Sequence, residues 1–328
     1  MIATVLPDEP QPVLAHNQPD WRRLVEVLTM GFVGSVMVAL WGWGSPQGGV
    51  PTHVRPIGVA VAVSGIAGLI AIIIAWLRSR KLVGRRVLTS VVWSLPLLFG
   101  PPLLSQDGWA YAAQGWILTQ GMDPYRVPQG LAEVLGKAVD TPWQATTAVY
   151  PPGSLWIQAA VVKIAHADPT WSVMLMRVPA LIGVALMVWA VPRLARYAGT
   201  DPDHALWLAV CCPLTTLSVV GGMHNDGLQV GLSLVALVVA IRLALIGRGW
   251  LGLVLGGAFV GLAGSVKQPG VLAGVGIVAL VHVNAVRHGG RRWSTRNCWT
   301  ALLARIAVGA IPALTVFGGI SAIHGLGM

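Results

Sequence analysis

Carboxylates are scarce in this sequence, which has 12 Asp and Glu among 328 residues. Asp107 follows an apolar stretch and begins a predicted short helix, and Asp226 opens another apolar stretch. An Asp in such a place can cap the helix by accepting hydrogen bonds from backbone N–H groups. It can also act on a substrate, as a general base for example, at the edge of an apolar region. The two interpretations are compatible, and the sequence leaves both open.

Polar and basic side chains accompany these acids. His224 and Asn225 directly precede Asp226 and offer hydrogen-bonding groups suited to sugar hydroxyls. Lys267 is a lone cation between two apolar stretches. It either extends along apolar surface to reach water or binds a phosphate group. Arg177 lies near the start of another apolar stretch, where an arginine needs an acidic or phosphate partner.

The segment after Asp107 carries further candidate contacts to a substrate. Pro124 disfavours helical geometry at the residue before it, so Asp123-Pro124-Tyr125 is predicted to end the short helix. A simple turn is the alternative interpretation of that tripeptide. Tyr150 leads through two prolines into the next apolar helix. We expect substrate contacts from Tyr111, Gln114, Asp123, Tyr125 and Tyr150.

Several common chemistries are absent from the sequence. No Ser-His-Asp signature, nucleophilic Cys, dinucleotide fingerprint or P-loop is present. The cysteines at 211, 212 and 298 form no disulfide framework or metal-ligand set. Asp107, His224 and Asp226 could share a divalent cation, but the spacing of the His-Asn-Asp run is not that of a helical metal site, and no cofactor is predicted.

The remaining chemistry rests on carboxylates and basic groups beside apolar segments. It suits transfer from a donor that is activated by a lipid phosphate, because such a donor carries its own leaving group. The protein then supplies a base for the acceptor hydroxyl and cations for the phosphate.

These side chains must be positioned by membrane-spanning helices. The chain is 55% hydrophobic and 10% charged, with a mean hydropathy of +0.70, whereas a soluble domain has about 25% charged residues. The net charge of +10 comes from bases clustered between apolar blocks. That pattern is typical of cytoplasmic loops beside anionic lipid, so we do not expect nucleic-acid binding. The sequence therefore predicts an all-α polytopic protein of the plasma membrane.

About nine transmembrane helices are predicted, because the apolar blocks are about as long as a bilayer core is thick. A disordered cytoplasmic tail is expected at residues 1–20. One long non-spanning segment, Ser105–Thr170, follows the third span, and a connection that long is usually functional. The predicted spans are Leu24–Trp43, Ile57–Leu77, Val87–Leu104, Trp171–Val191, Ala205–Val220, Gly227–Ile246, Trp250–Ser265, Gly270–Val286 and Thr300–Ile320.

One apolar segment decides the orientation. Gly153–Ala165 is helical in pattern but short for a bilayer crossing. If it does not cross, nearly all loop arginines fall on one side; if it crosses, this bias almost disappears. The positive-inside rule therefore predicts a helix on the membrane surface and a cytoplasmic N-terminus. Ser105–Thr170, Asp226 and Lys267 are then extracytoplasmic.

A family resemblance rests on four parts of the sequence. Ser105–Tyr125, SQDGWAYAAQGWILTQGMDPY, is similar to the first outer loop of the actinobacterial polyprenyl-phosphate-mannose-dependent α-(1→6)-mannosyltransferases, which are GT-C-type membrane glycosyltransferases. The resemblance runs from about residue 85 to the end. The other stretches agree in order and spacing, and they are Trp143–Leu155, Val191–Trp207 with Gly221–Gly231 (GGMHNDGLQVG), and Val266-Lys267.

The resemblance implies a GT-C-like transmembrane domain over residues 21–328, with an outer loop at 105–170 that carries juxtamembrane helices. It implies transfer of mannose from polyprenyl-phosphate mannose to a mannan or glycolipid acceptor of the cell envelope, such as lipomannan, with an inverting α-(1→6) linkage. Asp107 matches the expected base and Asp226 a second acid. Family members are usually longer, so a chain truncated at its C-terminal side is also implied.

Two alternatives remain at this point. The first is a non-catalytic membrane protein, a scaffold or a carrier of lipid-linked sugars. The second is a GT-C transferase that uses another lipid-linked sugar, such as arabinofuranose. The sequence Tyr150-Pro151-Pro152 also departs from the Tyr-Gly-Pro that is common in the mannosyltransferase family.

Overall fold

The computed structural model describes residues 21–44, 55–288 and 296–323, and within these ranges every regular element is helical, as predicted. The expected tail at residues 1–20 lies outside them. The α-helices are α1 (Trp21–Gly44), α2 (Arg55–Ser79), α3 (Arg86–Ser94), α4 (Asp107–Thr119), α5 (Glu133–Ala138), α6 (Thr141–Gln144), α7 (Pro152–Ile164), α8 (Pro169–Met174), α9 (Arg177–Tyr197), α10 (Pro202–Ala209), α11 (Asp226–Leu245), α12 (Gly249–Val266), α13 (Ala273–His288) and α14 (Arg296–Ala322).

Seven of the described helical segments are long and apolar enough to cross a membrane. An eighth candidate is α10 together with the π-helix Leu214–Gly221, a pair bent by 51°. The chain is therefore a multi-pass membrane protein. The seven segments are Trp21–Trp43, Gly58–Ser79, Pro169–Tyr197, Asp226–Leu245, Gly249–Val266, Gln268–Arg287 and Asn297–Ala322.

The described residues contain at most eight candidate spans, one fewer than the nine predicted. The predicted span that the structure lacks is the third. In place of Val87–Leu104, the structure has nine residues of α3 followed by a five-residue 3-10 helix, Leu95–Phe99. Pro96, at the start of the 3-10 helix, lacks the N–H that would continue α3. At about 1.5 and 2.0 Å per residue the two extend for about 24 Å, which is less than the ~30 Å of a hydrocarbon core.

The candidate spans expose apolar side chains. On α2 the exposed residues recur every three or four positions, which places them on one face of the helix. Such a face is costly in water, but lipid solvates it at no comparable cost. The outward side of α2 therefore matches a bilayer, and its large exposed residues are Val59, Val63, Ile66, Ile70, Ile73, Ile74 and Leu77.

The longest helices pack through small residues. Helix α11 contacts α9, α12 and α13, and α12 contacts α14. A Cβ atom added to Gly183 of α9 would lie 2.2 Å from the carbonyl carbon of Gly227 in α11. A Cβ atom on Gly257 of α12 would lie 2.3 Å from the carbonyl oxygen of Gly309 in α14. These backbones touch because glycine leaves no side chain between them, as is usual for helices that associate in lipid.

The segment between the third and fourth predicted spans forms short helices. Helices α4 and α7 have 13 residues each, and α5 and α6 have 6 and 4. Gly115 of α4 approaches α7 so closely that a Cβ atom there would lie 2.6 Å from the backbone of Gln158. The helix predicted at Gly153–Ala165 is confirmed as α7, and its position on a membrane surface stays a prediction.

The contact between α9 and α11 generates a prediction about two glycines. Within a helix, alanine is more favourable than glycine by about 1 kcal/mol. We expect Gly183→Ala to lower the melting temperature of the detergent-solubilised chain, because the backbone of α11 must shift. Gly318→Ala in α14 should preserve or raise it, since nothing lies within 4 Å of that Cβ position. Thermal unfolding followed by size-exclusion chromatography measures both, and equal melting temperatures would contradict the close packing.

Candidate active site

Asp107 is the first residue of α4, and other side chains hold its carboxylate. Ser105 Oγ lies 2.5 Å from Oδ1, and His224 Nδ1 lies 3.0 Å from Oδ2. The Tyr111 hydroxyl, one turn along α4, is 3.2 Å from Oδ2. The helix has no side-chain cap, and the N–H of Asp107 donates to Ser105 Oγ. The capping interpretation of Asp107 was therefore wrong, and the carboxylate is oriented by side chains from two distant parts of the sequence.

The surroundings set the charge of this carboxylate. Burial raises the pKa of Asp107, but hydrogen bonds from His224, Ser105 and Tyr111 and the charge of His224 lower it by more. The pKa of Asp107 therefore lies below its ordinary value. Burial raises the pKa of Tyr111 well above 10, and the neighbouring Tyr150 and Asp107 raise it further. At neutral pH the site thus holds an ionised carboxylate beside a protonated phenol.

A strained turn brings His224 to Asp107. The turn follows the π-helix Leu214–Gly221, a type of helix that is frequent at functional sites. Met223 has a φ of 61°, which is uncommon for a residue other than glycine, and its side chain is buried. A Cβ atom on Gly222 would lie 2.9 Å from the carbonyl oxygen of Leu103, so glycine is needed there. Strain of this kind persists only where the surrounding structure imposes it.

Asp226 and Lys267 form a second charged pair. Asp226 is the first residue of α11, and its Oδ2 lies 2.7 Å from Lys267 Nζ. Asn225 is the capping residue, without a side-chain cap, so the capping interpretation of Asp226 was also wrong. Lys267 follows α12 in extended conformation, and its Nζ lies 5.9 Å from the ring centroid of Tyr150. The side chains of Lys267 and Asp226 are 26% and 45% exposed, so a ligand can reach the pair.

Tyr111, Tyr150 and Asn225 join the two pairs. The rings of Tyr111 and Tyr150 meet edge to face with centroids 5.3 Å apart, and their hydroxyls are 3.5 Å apart. Asn225 Oδ1 lies 3.3 Å from the Tyr111 hydroxyl, and Asn225 Nδ2 donates to Ser154 at 3.2 Å. Seven of the predicted residues thus form one cluster, which we call the polar site: Asp107, Tyr111, Tyr150, His224, Asn225, Asp226 and Lys267.

The other predicted residues of the 105–170 segment lie beside the polar site or away from it. The Tyr125 hydroxyl donates to the carbonyl of Tyr150 at 2.7 Å and so supports that residue. Asp123 Oδ1 accepts from the N–H of Tyr125 at 2.9 Å, which confirms the turn. Both residues line a cleft of about 180 Å³ together with Pro152. Gln114 is buried within α4, and the structure does not bring it into contact with the polar site.

Arg177 has partners other than those predicted. Its side chain is buried, and its guanidinium donates to the carbonyl oxygens of Gly100 and Pro101 at 2.5 and 3.2 Å and contacts Met174 Sδ at 3.0 Å. These partners are backbone carbonyls and a thioether instead of an acid, and a contact of Arg177 with a substrate phosphate stays a prediction. The two carbonyls lie just after the 3-10 helix Leu95–Phe99, where no further helical turn uses them. Arg177 thus fastens the start of α9 to the end of the third apolar segment.

Three residues of the site were not predicted. Ser105 bonds to Asp107, and Gln158 Nε2 donates to Ser154 at 3.1 Å, which in turn accepts from Asn225. Ser154 and Gln158 are four residues apart on α7 and therefore share a face. That spacing in a mainly apolar helix is a signal that could have identified Ser154 and Gln158.

The described residues do not assemble the metal arrangement that was considered. Within residues 21–44, 55–288 and 296–323, no group of three or more His, Cys, Asp or Glu side chains is placed to hold a metal ion. Asp107 pairs with His224, whereas Asp226 pairs with Lys267.

An apolar groove of about 420 Å³ adjoins the polar site. Helices α7, α11, α12 and α14 form its walls. Val266 lines the groove directly before Lys267, and Leu228 lines it two residues after Asp226. A narrow cavity that reaches Tyr111 and Asn225 shares Ile157, Leu228 and Val266 with the groove. The groove therefore adjoins the polar site, and its lining residues are Gly153, Trp156, Ile157, Leu228, Leu232, Leu262, Ser265, Val266, Ile320 and Ile323.

Comparisons with known proteins agree on one family. The family model for alpha-(1->6)-mannopyranosyltransferase, N-terminal domain, matches residues 28–284. The chain is 34% identical over 325 residues to alpha-(1->6)-mannopyranosyltransferase A of Mycobacterium tuberculosis, covering 91% of this chain and 59% of that relative. It is 27% identical over 312 residues to alpha-(1->6)-mannopyranosyltransferase B of Corynebacterium glutamicum, covering 83% and 51%. The chain thus spans just over half the length of these two relatives, and no solved structure matches it.

Arg177 and Lys267 should differ in their effect on stability. Arg177→Gln removes buried hydrogen bonds from a charged group, each of which contributes about 1.5–3 kcal/mol. Lys267→Gln breaks a partly exposed ion pair, which contributes about 0–1 kcal/mol. We expect Arg177→Gln to lower the melting temperature in detergent clearly and Lys267→Gln to lower it little. A larger loss for Lys267→Gln would show that Lys267 has a mainly structural role.

Proposed function

Because this chain belongs to the alpha-(1->6)-mannopyranosyltransferase family, we propose that it transfers mannose from polyprenyl-phosphate mannose to a mannan or glycolipid acceptor. The observation that carries the proposal is the position of the ionised Asp107 carboxylate. It lies in one polar cluster with Lys267, beside an apolar groove. A lipid-phosphate sugar needs these three features together: an apolar channel, a cation and a base.

Asp107 is proposed as the general base. The acceptor hydroxyl gives its proton to the Asp107 carboxylate and attacks the anomeric carbon of mannose. The bond from that carbon to the phosphate oxygen breaks, and the polyprenyl phosphate leaves with the electron pair. A single displacement of this kind inverts the anomeric configuration. The hydrogen bonds from Ser105, His224 and Tyr111 support the role because they keep the carboxylate ionised and fix its direction.

Lys267 is proposed to stabilise the donor phosphate. Lys267 directly follows Val266, which lines the apolar groove, so its ammonium would be near the donor phosphate if the polyprenyl chain occupied the groove. Negative charge develops on the phosphate as the bond breaks, and a fixed cation stabilises it most at that stage. Asp226 would exchange its contact with Lys267 for a sugar hydroxyl, with His224 and Asn225 as neighbouring sugar contacts.

The acceptor side of the site is proposed to include Asp123 and Tyr125. Their cleft adjoins Pro152 and is connected to the polar site by the hydrogen bond from Tyr125 to Tyr150. A carboxylate beside an aromatic ring suits a sugar, which has hydroxyls on its edges and an apolar face. Gln114 remains a predicted substrate contact without a supporting observation.

The polar site is proposed to face the extracytoplasmic side, with a cytoplasmic N-terminus. Asp226 and Lys267 lie at one end of the α11–α12 hairpin, and the arginines of that hairpin lie at the other end. The positive-inside rule assigns the arginine-bearing end, with Arg242 and Arg248, to the cytoplasm.

The decisive experiment is transfer from defined radiolabelled donors. Membranes or nanodiscs that hold the full chain are given polyprenyl-phosphate mannose and an α-mannan acceptor. We expect transfer by the wild type and a loss of at least about 100-fold in Asp107→Asn, because general-base catalysis contributes about 10²–10⁴-fold. The matched control is Asp140→Asn, which changes an exposed acid in the same segment and should leave transfer unchanged.

Each other outcome selects another interpretation. Transfer from polyprenyl-phosphate arabinofuranose instead of the mannose donor would identify a different sugar. No transfer from any donor by a well-folded wild-type chain would favour the scaffold or carrier. Near-normal transfer by Asp107→Asn would remove Asp107 from the role of base.

The pH dependence of transfer should respond to His224. Transfer is lost as the pH falls through the pKa of the base, and the hydrogen bond and charge of His224 lower the pKa of Asp107. His224→Gln should therefore move the acidic limb of the pH–rate profile to higher pH. His166→Gln, which changes an exposed histidine of the same segment, should leave the limb in place. An unshifted limb in His224→Gln would separate His224 from the ionisation of the base.

A further inference from the structure

A chain of buried polar side chains runs from α7 to the carboxylate of Asp107. Gln158 Nε2 donates to Ser154 Oγ at 3.1 Å, and Ser154 Oγ lies 3.2 Å from one end of the Asn225 amide. The other end of that amide lies 3.3 Å from the Tyr111 hydroxyl, which is 3.2 Å from Asp107 Oδ2. All five residues are at most 8% exposed, so these hydrogen bonds are largely shielded from water.

The hydroxyl protons do not suit the orientation that the Asn225 amide has in the structure. Tyr111 has one proton but faces two acceptors, Asp107 Oδ2 and Asn225 Oδ1. Ser154 accepts from Gln158 Nε2 and Asn225 Nδ2, and among the described residues no acceptor takes its own proton. The ionised carboxylate is the stronger acceptor, so it takes the Tyr111 proton. The oxygens of Tyr111 and Asn225 then face each other with no proton between them.

A half-turn of the Asn225 amide removes both conflicts. The two ends of an amide have nearly the same shape but opposite hydrogen-bonding roles. After the half-turn, the Ser154 hydroxyl donates to Asn225 Oδ1, and Asn225 Nδ2 donates to the Tyr111 oxygen. The Tyr111 hydroxyl then donates to Asp107 alone. Every hydrogen bond of the chain now points toward the carboxylate, and bonds arranged in this way strengthen one another.

We propose that Ser154 is a positioning residue, which holds the Asn225 amide so that the Tyr111 hydroxyl donates to Asp107. The close contact of Gly115 with the backbone of Gln158 keeps α7 beside α4 and so keeps the chain of hydrogen bonds closed. The inference deepens the proposed function, on which it rests for the role of Asp107 as base. Its direct consequence is a carboxylate that ionises more readily, and that consequence needs no substrate.

The ionisation of Asp107 is therefore the quantity to measure. Infrared spectra of the full chain in nanodiscs follow the carboxyl band during an acid titration, and the band that is missing in Asp107→Asn belongs to Asp107. The hydrogen bond from Tyr111 lowers the pKa of Asp107. Ser154→Ala releases the amide, which can then turn back and take the Tyr111 proton. We expect the midpoint to move to higher pH, by about threefold to tenfold in proton concentration, which is the effect of one hydrogen bond.

The direction of the shift decides between the two amide orientations. With Asn225 Nδ2 on Ser154, the loss of Ser154 would loosen a competitor for the Tyr111 proton, and Asp107 would gain from it. A midpoint that stays in place or falls in Ser154→Ala would therefore overturn the proposal. Gln158→Leu removes the first donor of the chain and should raise the midpoint by less, so a lower midpoint in that variant would also overturn it.

Ser172→Ala is the matched control. Ser172 is a buried serine of α8, and its Oγ has no hydrogen-bond partner in the described part of the chain. Its substitution should leave the midpoint at the wild-type value. Ser154→Thr keeps the hydroxyl and should also keep that midpoint. A shift in Ser154→Thr as large as that in Ser154→Ala would overturn the proposal, because altered packing of α7 would then explain both.

These variants leave the titratable groups around Asp107 unchanged. Two of them contact the carboxylate directly, a third lies behind the Tyr111 ring, and the second charged pair lies beyond that ring. They are His224, Tyr111, Tyr150, Asp226 and Lys267. A shift in Ser154→Ala is therefore due to the chain of hydrogen bonds.

Transfer assays separate this inference from the proposed function. A raised midpoint in Ser154→Ala, together with a folded wild type that transfers no mannose, would refute only the proposed function. Mannose transfer by the wild type, together with an unshifted midpoint in Ser154→Ala, would refute only the role of Ser154. Where both hold, the acidic limb of the pH–rate profile of Ser154→Ala should move to higher pH with the midpoint.

Discussion

The surroundings of this chain cannot solvate charge over most of its length, and the site depends on that constraint. An ionised side chain inside apolar surroundings needs a partner or a helix end close to water. Asp107 and Asp226 satisfy both conditions, because each begins a helix and each binds a basic side chain. The cost of burying carboxylates thus concentrates the reactive groups at one end of the bundle and supplies them with His224 and Lys267.

The two pairs differ in a way that suits different tasks. Asp107 is buried and held by three side chains, so its direction is fixed before any substrate arrives. Asp226 and Lys267 are more exposed and hold only each other among the ion pairs of the described residues, so a ligand can separate them. A base gains from rigid placement, whereas a cation that binds a phosphate must be free to change partners. Burial therefore distinguishes the proposed base from the proposed donor contacts.

The sequence predicted the helical class and most of the polar site because both follow from local patterns. Apolar blocks identify spans, and isolated acids at their ends attract attention. The long-range contacts were not predictable in this way. That Lys267 would meet Asp226, or His224 would meet Asp107, depends on the packing of α11 on α12 and on the strained backbone at Met223. Arg177 shows another limit of local patterns, since its partners within the described residues include the backbone carbonyls of Gly100 and Pro101 instead of an acid.

Acidic and basic side chains are distributed unequally between the two ends of the helical bundle. At the end opposite the polar site, Glu26 pairs with Arg78, and Asp203 binds the buried Arg86 at 2.7 Å. Each of these two acids is thus matched to an arginine of α2 or α3. Residues 227–328 contain no Asp or Glu, and they bring Arg242, Arg248, Arg287 and Arg305 to the same end. The distribution of acids and bases thus makes this end of the bundle more basic than the end with the polar site, as the positive-inside rule expects of a cytoplasmic end.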